Sequence, residues 1–210
     1  MILTKDYKNK ETYYTDRITT TDGHKIYFEV KGDTSGTPVV FLHGGPGARI
    51  VPAHFDFFNP NLFFSILFDQ RGCGKSEPFC ELKNNNIQNL ILDMERLREK
   101  LNVEKWILFG GSWGSTLALY YAINYPERCL GLVLRGVFLG TRTEIDWFLC
   151  GMKKFYPEAH KLFLNGLNFS ELENPTSDDI LKRSSELIFN SNEEISQRSA
   201  NAWAKYEMSC

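Results

Sequence analysis

Ser112 sits in Gly110-Gly-Ser112-Trp-Gly114, a Gly-x-Ser-x-Gly pattern between an apolar run and a helix-forming run. A serine hydroxyl acts as a nucleophile only where the backbone presents it. A strand-to-helix turn sharp enough to do that holds the serine in a strained conformation, and small residues two before and two after keep the crossing chains from colliding. Gly110 and Gly114 stand at those places, so Ser112 is expected in such a turn with its hydroxyl exposed at the positive end of the next helix. The plainer reading is a glycine-rich turn with an idle serine. His43-Gly-Gly-Pro-Gly47 follows an earlier apolar run, and its glycines let the backbone approach a ligand closely. It is not a dinucleotide fingerprint, because position 50 is Ile, and Pro46 removes one amide; a phosphate-binding loop or a plain turn stays open. Gly72-Cys-Gly-Lys-Ser76 looks like the end of a P-loop, but position 69, where that motif requires Gly, is Asp69. A serine nucleophile also needs a base, oriented by a carboxylate. His24, His43 and His54 precede Ser112, and His43 is read as structural. His160 alone follows, inside the helical run Tyr-Pro-Glu-Ala-His-Lys-Leu-Phe with no strand before it.

The elements that must position these residues alternate along the chain. Runs 11–20 and 25–31 are β-rich and meet at Asp22-Gly23, a strong hairpin signal. Short apolar runs at 38–43, 64–68, 106–109 and 130–134 read as buried strands. Ile87, Leu90, Ile91, Met94, Leu97 and Leu101 share one face of a helix, capped from Asn84–Asn86, and 113–125 is a second helix ended near Pro126. Strand, helix, strand, helix, strand predicts a mostly parallel sheet with right-handed crossovers. After about Gly140 the pattern turns helical. Ile145, Phe148, Leu149, Met152 and Phe155 suggest one helix, and 180–189 and 196–206 suggest others. The expected division is therefore 1–139 as an α/β core with six strands and 140–210 as a helical layer.

Three segments together resemble the proline iminopeptidases, α/β-hydrolase peptidases that remove an amino-terminal proline. Their hallmark is His-Gly-Gly-Pro-Gly, then Asp-Gln-Arg-Gly-x-Gly-x-Ser, then Gly-Gly-Ser-Trp-Gly, and all three stand here in order at 43–47, 69–76 and 110–114. The likeness runs from about Asp16 into the helical part, where Trp203-Ala-Lys-Tyr-Glu207 resembles the Trp-x-x-Trp-Glu of the family's cap, with Tyr206 in place of the second Trp. It implies an α/β-hydrolase fold with helices on both faces of the sheet, incomplete at the carboxyl end, plus part of a helical cap. It implies Ser112 as nucleophile, the amides of Gly45 and Trp113 as the oxyanion hole, and Glu207 as the group that binds the substrate's free α-amino group; a helical surface glutamate is the plainer reading of Glu207. No metal or organic cofactor is implied. In this fold the acid and base follow the serine as Asp and then His on late strands. Neither is found, so the triad partners are expected beyond Cys210, and the chain as written is expected to be inactive. An alternative is a non-catalytic chain that at most binds peptides or partners; another is an esterase or acyltransferase of the same fold.

Composition bounds these readings. The 210 residues are 42% hydrophobic and 24% charged, ordinary for a chain with one real core, and the net charge of −2 argues against nucleic acid or an anionic membrane as partner. No apolar run reaches the roughly 18 residues of a membrane span, and residues 1–11 show no apolar signal region. Five cysteines at irregular spacing fit a reducing compartment, hence the cytoplasm, and no spacing suggests zinc. The tripeptide Asn168-Phe-Ser170 matches a glycosylation sequon by pattern and is read as chance. The expected partner is a small peptide with a free amino terminus.

Overall fold

The computed structural model describes residues 13–170 and 174–210. The first residues of the 11–20 run and the amino-terminal segment read for a signal lie outside the described residues. The chain divides into two compact units, Met1–Leu139 and Gly140–Cys210.

The first unit is built on a six-stranded sheet of β1 (Tyr13–Thr19), β2 (Lys25–Gly32), β3 (Thr37–Leu42), β4 (Phe63–Phe68), β5 (Trp106–Gly111) and β6 (Cys129–Arg135), in the order β1-β2-β4-β3-β5-β6. The β1–β2 hairpin turns at Asp22-Gly23, where Gly23 has a φ of 93°. β1, β2 and β4 pair antiparallel, and β4, β3, β5 and β6 pair parallel. Alternate residues sort onto two buried faces, because successive strand side chains point to opposite sides. Ile26, Phe28, Val40, Leu42, Ile66 and Leu108 face one way, where α1 (Ile87–Lys100) and α2 (Trp113–Asn124) cover them with Leu90, Met94, Leu97, Leu117 and Tyr121. Tyr27, Val39, Phe41 and Leu67 face the other way, under the short 3₁₀ helix Pro52–Phe57 and the rings of Phe55 and Phe58. Asn86 caps α1, its side chain accepting the Asn89 amide at 2.9 Å. β6 is an edge strand that leaves Leu130, Leu132 and Val133 exposed.

The second unit holds α3 (Arg142–Asp146), α4 (Pro157–Gly166), α5 (Ser177–Ile188) and α6 (Glu193–Ser209). Its core is Leu149, Phe163, Leu167, Phe169, Ile180 and Tyr206. The single helix expected through Ile145 to Phe155 is not one helix: α3 passes into a π turn at Trp147–Gly151 and a 3₁₀ turn at Met152–Lys154. The cause lies elsewhere in the chain. The Tyr206 hydroxyl donates to the Phe148 carbonyl at 2.7 Å, and the Leu149 carbonyl lies 2.8 Å from His160 Nε2. Both contacts fall on the widened turn, the kind of place where side chains from elsewhere interrupt the regular helical ladder.

Candidate active site

Ser112 joins β5 to α2 with φ 54° and ψ −125°, a conformation that costs a non-glycine residue of order 1–3 kcal/mol. The neighbouring glycines show why the chain accepts it. A Cβ at Gly110 would collide with the Gly114 carbonyl oxygen, and a Cβ at Gly114 would collide with the carbonyl oxygen of Leu42 at the end of β3. The start of α2 therefore lies against both β5 and β3, and the chain between must reverse within one residue. The Ser112 amide donates to the Arg135 carbonyl at 3.0 Å, its carbonyl accepts from the Ser115 amide at 2.8 Å and from the Ser115 hydroxyl at 2.6 Å, and the residue is exposed.

The His43–Gly47 loop leaves β3 next to this turn. A Cβ built on Gly44 would stand 3.2 Å from the Gly111 carbonyl oxygen, 3.4 Å from Ser112 Cβ and 4.0 Å from its Oγ, so the loop backbone lies beside the serine turn. Gly45 follows with φ 112°. Trp113 is the first residue of α2, a position whose amide has no partner within the helix. Ser112, Trp113 and the Gly44 backbone thus come together. Glu207 is exposed on α6 in the second unit, one residue after the buried Tyr206, which stacks on Phe163 at 4.6 Å.

His43 is buried and makes two bonds that fix its state. Nε2 faces the Gln70 amide at 3.0 Å and Nδ1 faces the Gly44 carbonyl at 3.0 Å. An amide N–H can only donate, so Nε2 keeps its lone pair and Nδ1 carries the proton. Burial lowers the pKa of the ring below its ordinary value, in keeping with a neutral imidazole used as a spacer.

The 69–76 segment locks the same end of the sheet. Asp69 accepts the Ile50 amide on Oδ1 and the Lys75 amide on Oδ2, each at 2.7 Å, and a Cβ at Gly74 would collide with that carboxylate. Ser76 Oγ donates to the Asp69 carbonyl at 2.6 Å, and Lys75 Nζ reaches Glu29 at 3.1 Å. The P-loop look-alike is a self-bonded turn. Arg71 is buried and forks onto both oxygens of buried Asp93 at 2.8 Å, tying the segment to α1. Burial raises the Cys73 thiol to about 11, which leaves it a poor nucleophile. Gln70, like Arg71, matches the sequence motif without a chemical role read from it: its Oε1 accepts from the Trp113 indole at 3.0 Å and its Nε2 donates to the His43 carbonyl at 2.9 Å. Nothing local signals this, because those partners lie 43 and 27 positions away. Among the described residues no cluster of three or more His, Cys, Asp or Glu is placed to hold a metal, and no helix is long and apolar enough to cross a membrane.

A family model for the alpha/beta hydrolase fold matches residues 37–161, from β3 into α4. The chain belongs to the alpha/beta hydrolase fold family. This alpha/beta hydrolase chain is 39% identical over 203 residues to a proline iminopeptidase of Neisseria meningitidis, covering 96% of this chain and 64% of that one. It is 43% identical over 204 residues to a proline iminopeptidase of Arabidopsis thaliana, covering 96% and 52%. It thus spans between about half and two thirds of the length of these relatives. Among solved structures, the proline iminopeptidase of Mycobacterium smegmatis superposes with a TM-score of 0.60 at 18% identity, over 93% of this chain and 68% of that one. A proline iminopeptidase-related protein of Thermus thermophilus gives 0.59 at 19% identity, over 94% and 66%. At those identities the likeness shows the fold.

Proposed function

We propose that this chain carries the nucleophile and oxyanion-binding part of a proline iminopeptidase, a serine aminopeptidase that releases an amino-terminal proline from small peptides. The observation that carries the reading is the exposed Ser112 at φ 54° with the Gly44 backbone laid against it. In this reading Ser112 Oγ attacks the carbonyl of the amino-terminal residue, and the Gly45 and Trp113 amides receive the negative charge that develops on the oxygen. The leaving amine departs, and water then releases proline from the acyl-enzyme. Glu207 is the residue this reading assigns to the free α-amino group, by charge pairing. The identity to relatives of that name supports the substrate class.

This reading assigns the general base and its orienting carboxylate to none of these 210 residues. Among the described residues no hydrogen bond joins Ser112 Oγ to a histidine: His24 Nε2 lies 3.1 Å from the Lys83 carbonyl, His43 has both ring nitrogens bonded beside the oxyanion loop, His54 Nδ1 accepts the Val51 amide at 3.1 Å, and His160 Nε2 lies 2.8 Å from the Leu149 carbonyl. This supports the second reading for the polypeptide taken alone, a non-catalytic module. Five free thiols support a cytoplasmic location. The test is proline release from a prolyl-arylamide. The 210-residue chain should match its Ser112→Ala variant, and a longer product carrying the rest of the fold should show serine-dependent turnover. Serine-dependent turnover by the 210 residues alone would show a base among these four histidines or supplied by a second chain. A longer product that leaves prolyl-arylamides intact but cleaves simple esters would replace the peptidase reading with an esterase.

A further inference from the structure

We propose that Gln70 is a positioning residue for the oxyanion-binding backbone, its buried side-chain amide clamping the Gly44–Gly45 loop to the first residue of α2. The proposal rests on the reading of Ser112 as nucleophile with the Gly45 and Trp113 amides as oxyanion donors. Gln70 is buried, and three of its polar groups have partners on the two segments that flank Ser112. Its backbone N–H donates to His43 Nε2 at 3.0 Å and its side-chain Nε2 donates to the His43 carbonyl at 2.9 Å, while its Oε1 accepts the Trp113 indole N–H at 3.0 Å. His43 in turn bonds the Gly44 carbonyl.

Donors to an oxyanion help only when they are already aimed. Here the two proposed donors belong to segments far apart in sequence. One of them is in a loop with glycines at 44, 45 and 47, two of them at positive φ, which has little intrinsic preference for one shape. A tie from outside the loop is what would hold it. A primary amide suits the task because it presents a donor to one segment and an acceptor to the other. A carboxylate would set an oxygen against the His43 carbonyl, and a methionine of similar length would satisfy neither end.

The probe is the boronic acid analogue of proline, titrated into the 210-residue chain and followed by ¹¹B NMR. Ser112 Oγ forms a bond to boron, boron becomes tetrahedral, and the hydroxyl proton passes to solvent; one boron oxygen then occupies the place of the oxyanion. The Gln70→Met variant should bind this probe about three- to tenfold more weakly, the span expected for one lost hydrogen bond. Its Trp113 indole N–H should lose protection from solvent exchange, with near-UV circular dichroism unchanged. Trp113→Phe removes the indole donor together with its five-membered ring and keeps an aromatic ring and the main-chain amide, so it tests the same bond if Gln70→Met does not fold, and it should weaken binding similarly. A merely structural glutamine would lower the unfolding midpoint and leave the affinity of the folded protein untouched; that result in both variants would overturn the proposal. If the unsubstituted chain and Ser112→Ala bind the boronate equally, the nucleophile reading fails and this proposal with it.

Discussion

Ser112 is held at φ 54° by its surroundings, and glycine in its place would relieve that strain. Ser112→Gly should therefore raise stability by about 1 kcal/mol over Ser112→Ala, the relief being offset in part by glycine's greater freedom when unfolded. Urea denaturation of the two variants side by side measures this, and a less stable glycine variant would contradict strain at the turn. His43 carries a second expectation. Burial keeps its folded pKa below the ordinary value of 6.5, so below that pH the unfolded chain takes up a proton that the folded ring refuses. The unfolded state then binds more protons, and stability falls as pH drops below about 6.5; above it both forms are neutral and this contribution is flat. His54 and His160 are lowered by burial too and act with the same sign. His43→Gln should make the loss of unfolding free energy between about pH 7.5 and 5.5 shallower. An unchanged slope would assign the effect to His54 and His160.

Gly114 and Gly131 separate close packing from simple flexibility among the elements. A Cβ at Gly114 would run into the Leu42 carbonyl, whereas nothing lies within 4 Å of a Cβ at Gly131 in β6. Gly114→Ala should cost about 1–3 kcal/mol by pushing α2 off β3, and Gly131→Ala should stay within about 0.5 kcal/mol of the parent. Thermal unfolding of both compares them, and equal losses would mean that α2 does not sit tightly on the sheet. The spacing of Gly110 and Gly114 around Ser112 made this crossing legible in the sequence, because a sharp strand-to-helix turn leaves few alternatives. The strands β3, β4 and β5 were legible as short apolar runs for a related reason, being buried on both faces. The break after Asp146 was not legible. The apolar spacing from Ile145 to Phe155 is truly helical, and what interrupts it is a tyrosine hydroxyl from 58 positions away and a histidine from 11. Gln70 was opaque for the same reason: a motif shows which residues stand together, but hydrogen bonds to His43 and Trp113 exist only once three segments meet.

For the molecule as a whole, β6 is the exposed margin of the sheet, with Leu130 54%, Leu132 40% and Val133 48% exposed. An edge strand with apolar side chains and unpaired backbone groups is a template for pairing with another chain. The 210-residue protein should therefore associate as its concentration rises, and Val133→Lys should shift it toward monomer in sedimentation velocity. A parent that stays monomeric at high concentration would rule out association through this edge. The same strand has a subtler bearing on Ser112, whose amide donates to the carbonyl of Arg135, the last residue of β6. β3 and β5 are hemmed in by neighbours on both sides, so their amides should be the slowest to exchange with deuterated solvent, whereas an edge strand opens locally far more often. Ser112 sits at the end of an interior strand but is moored to the rim. Its amide proton should exchange on the clock of β6, and whatever steadies that rim will also steady the serine.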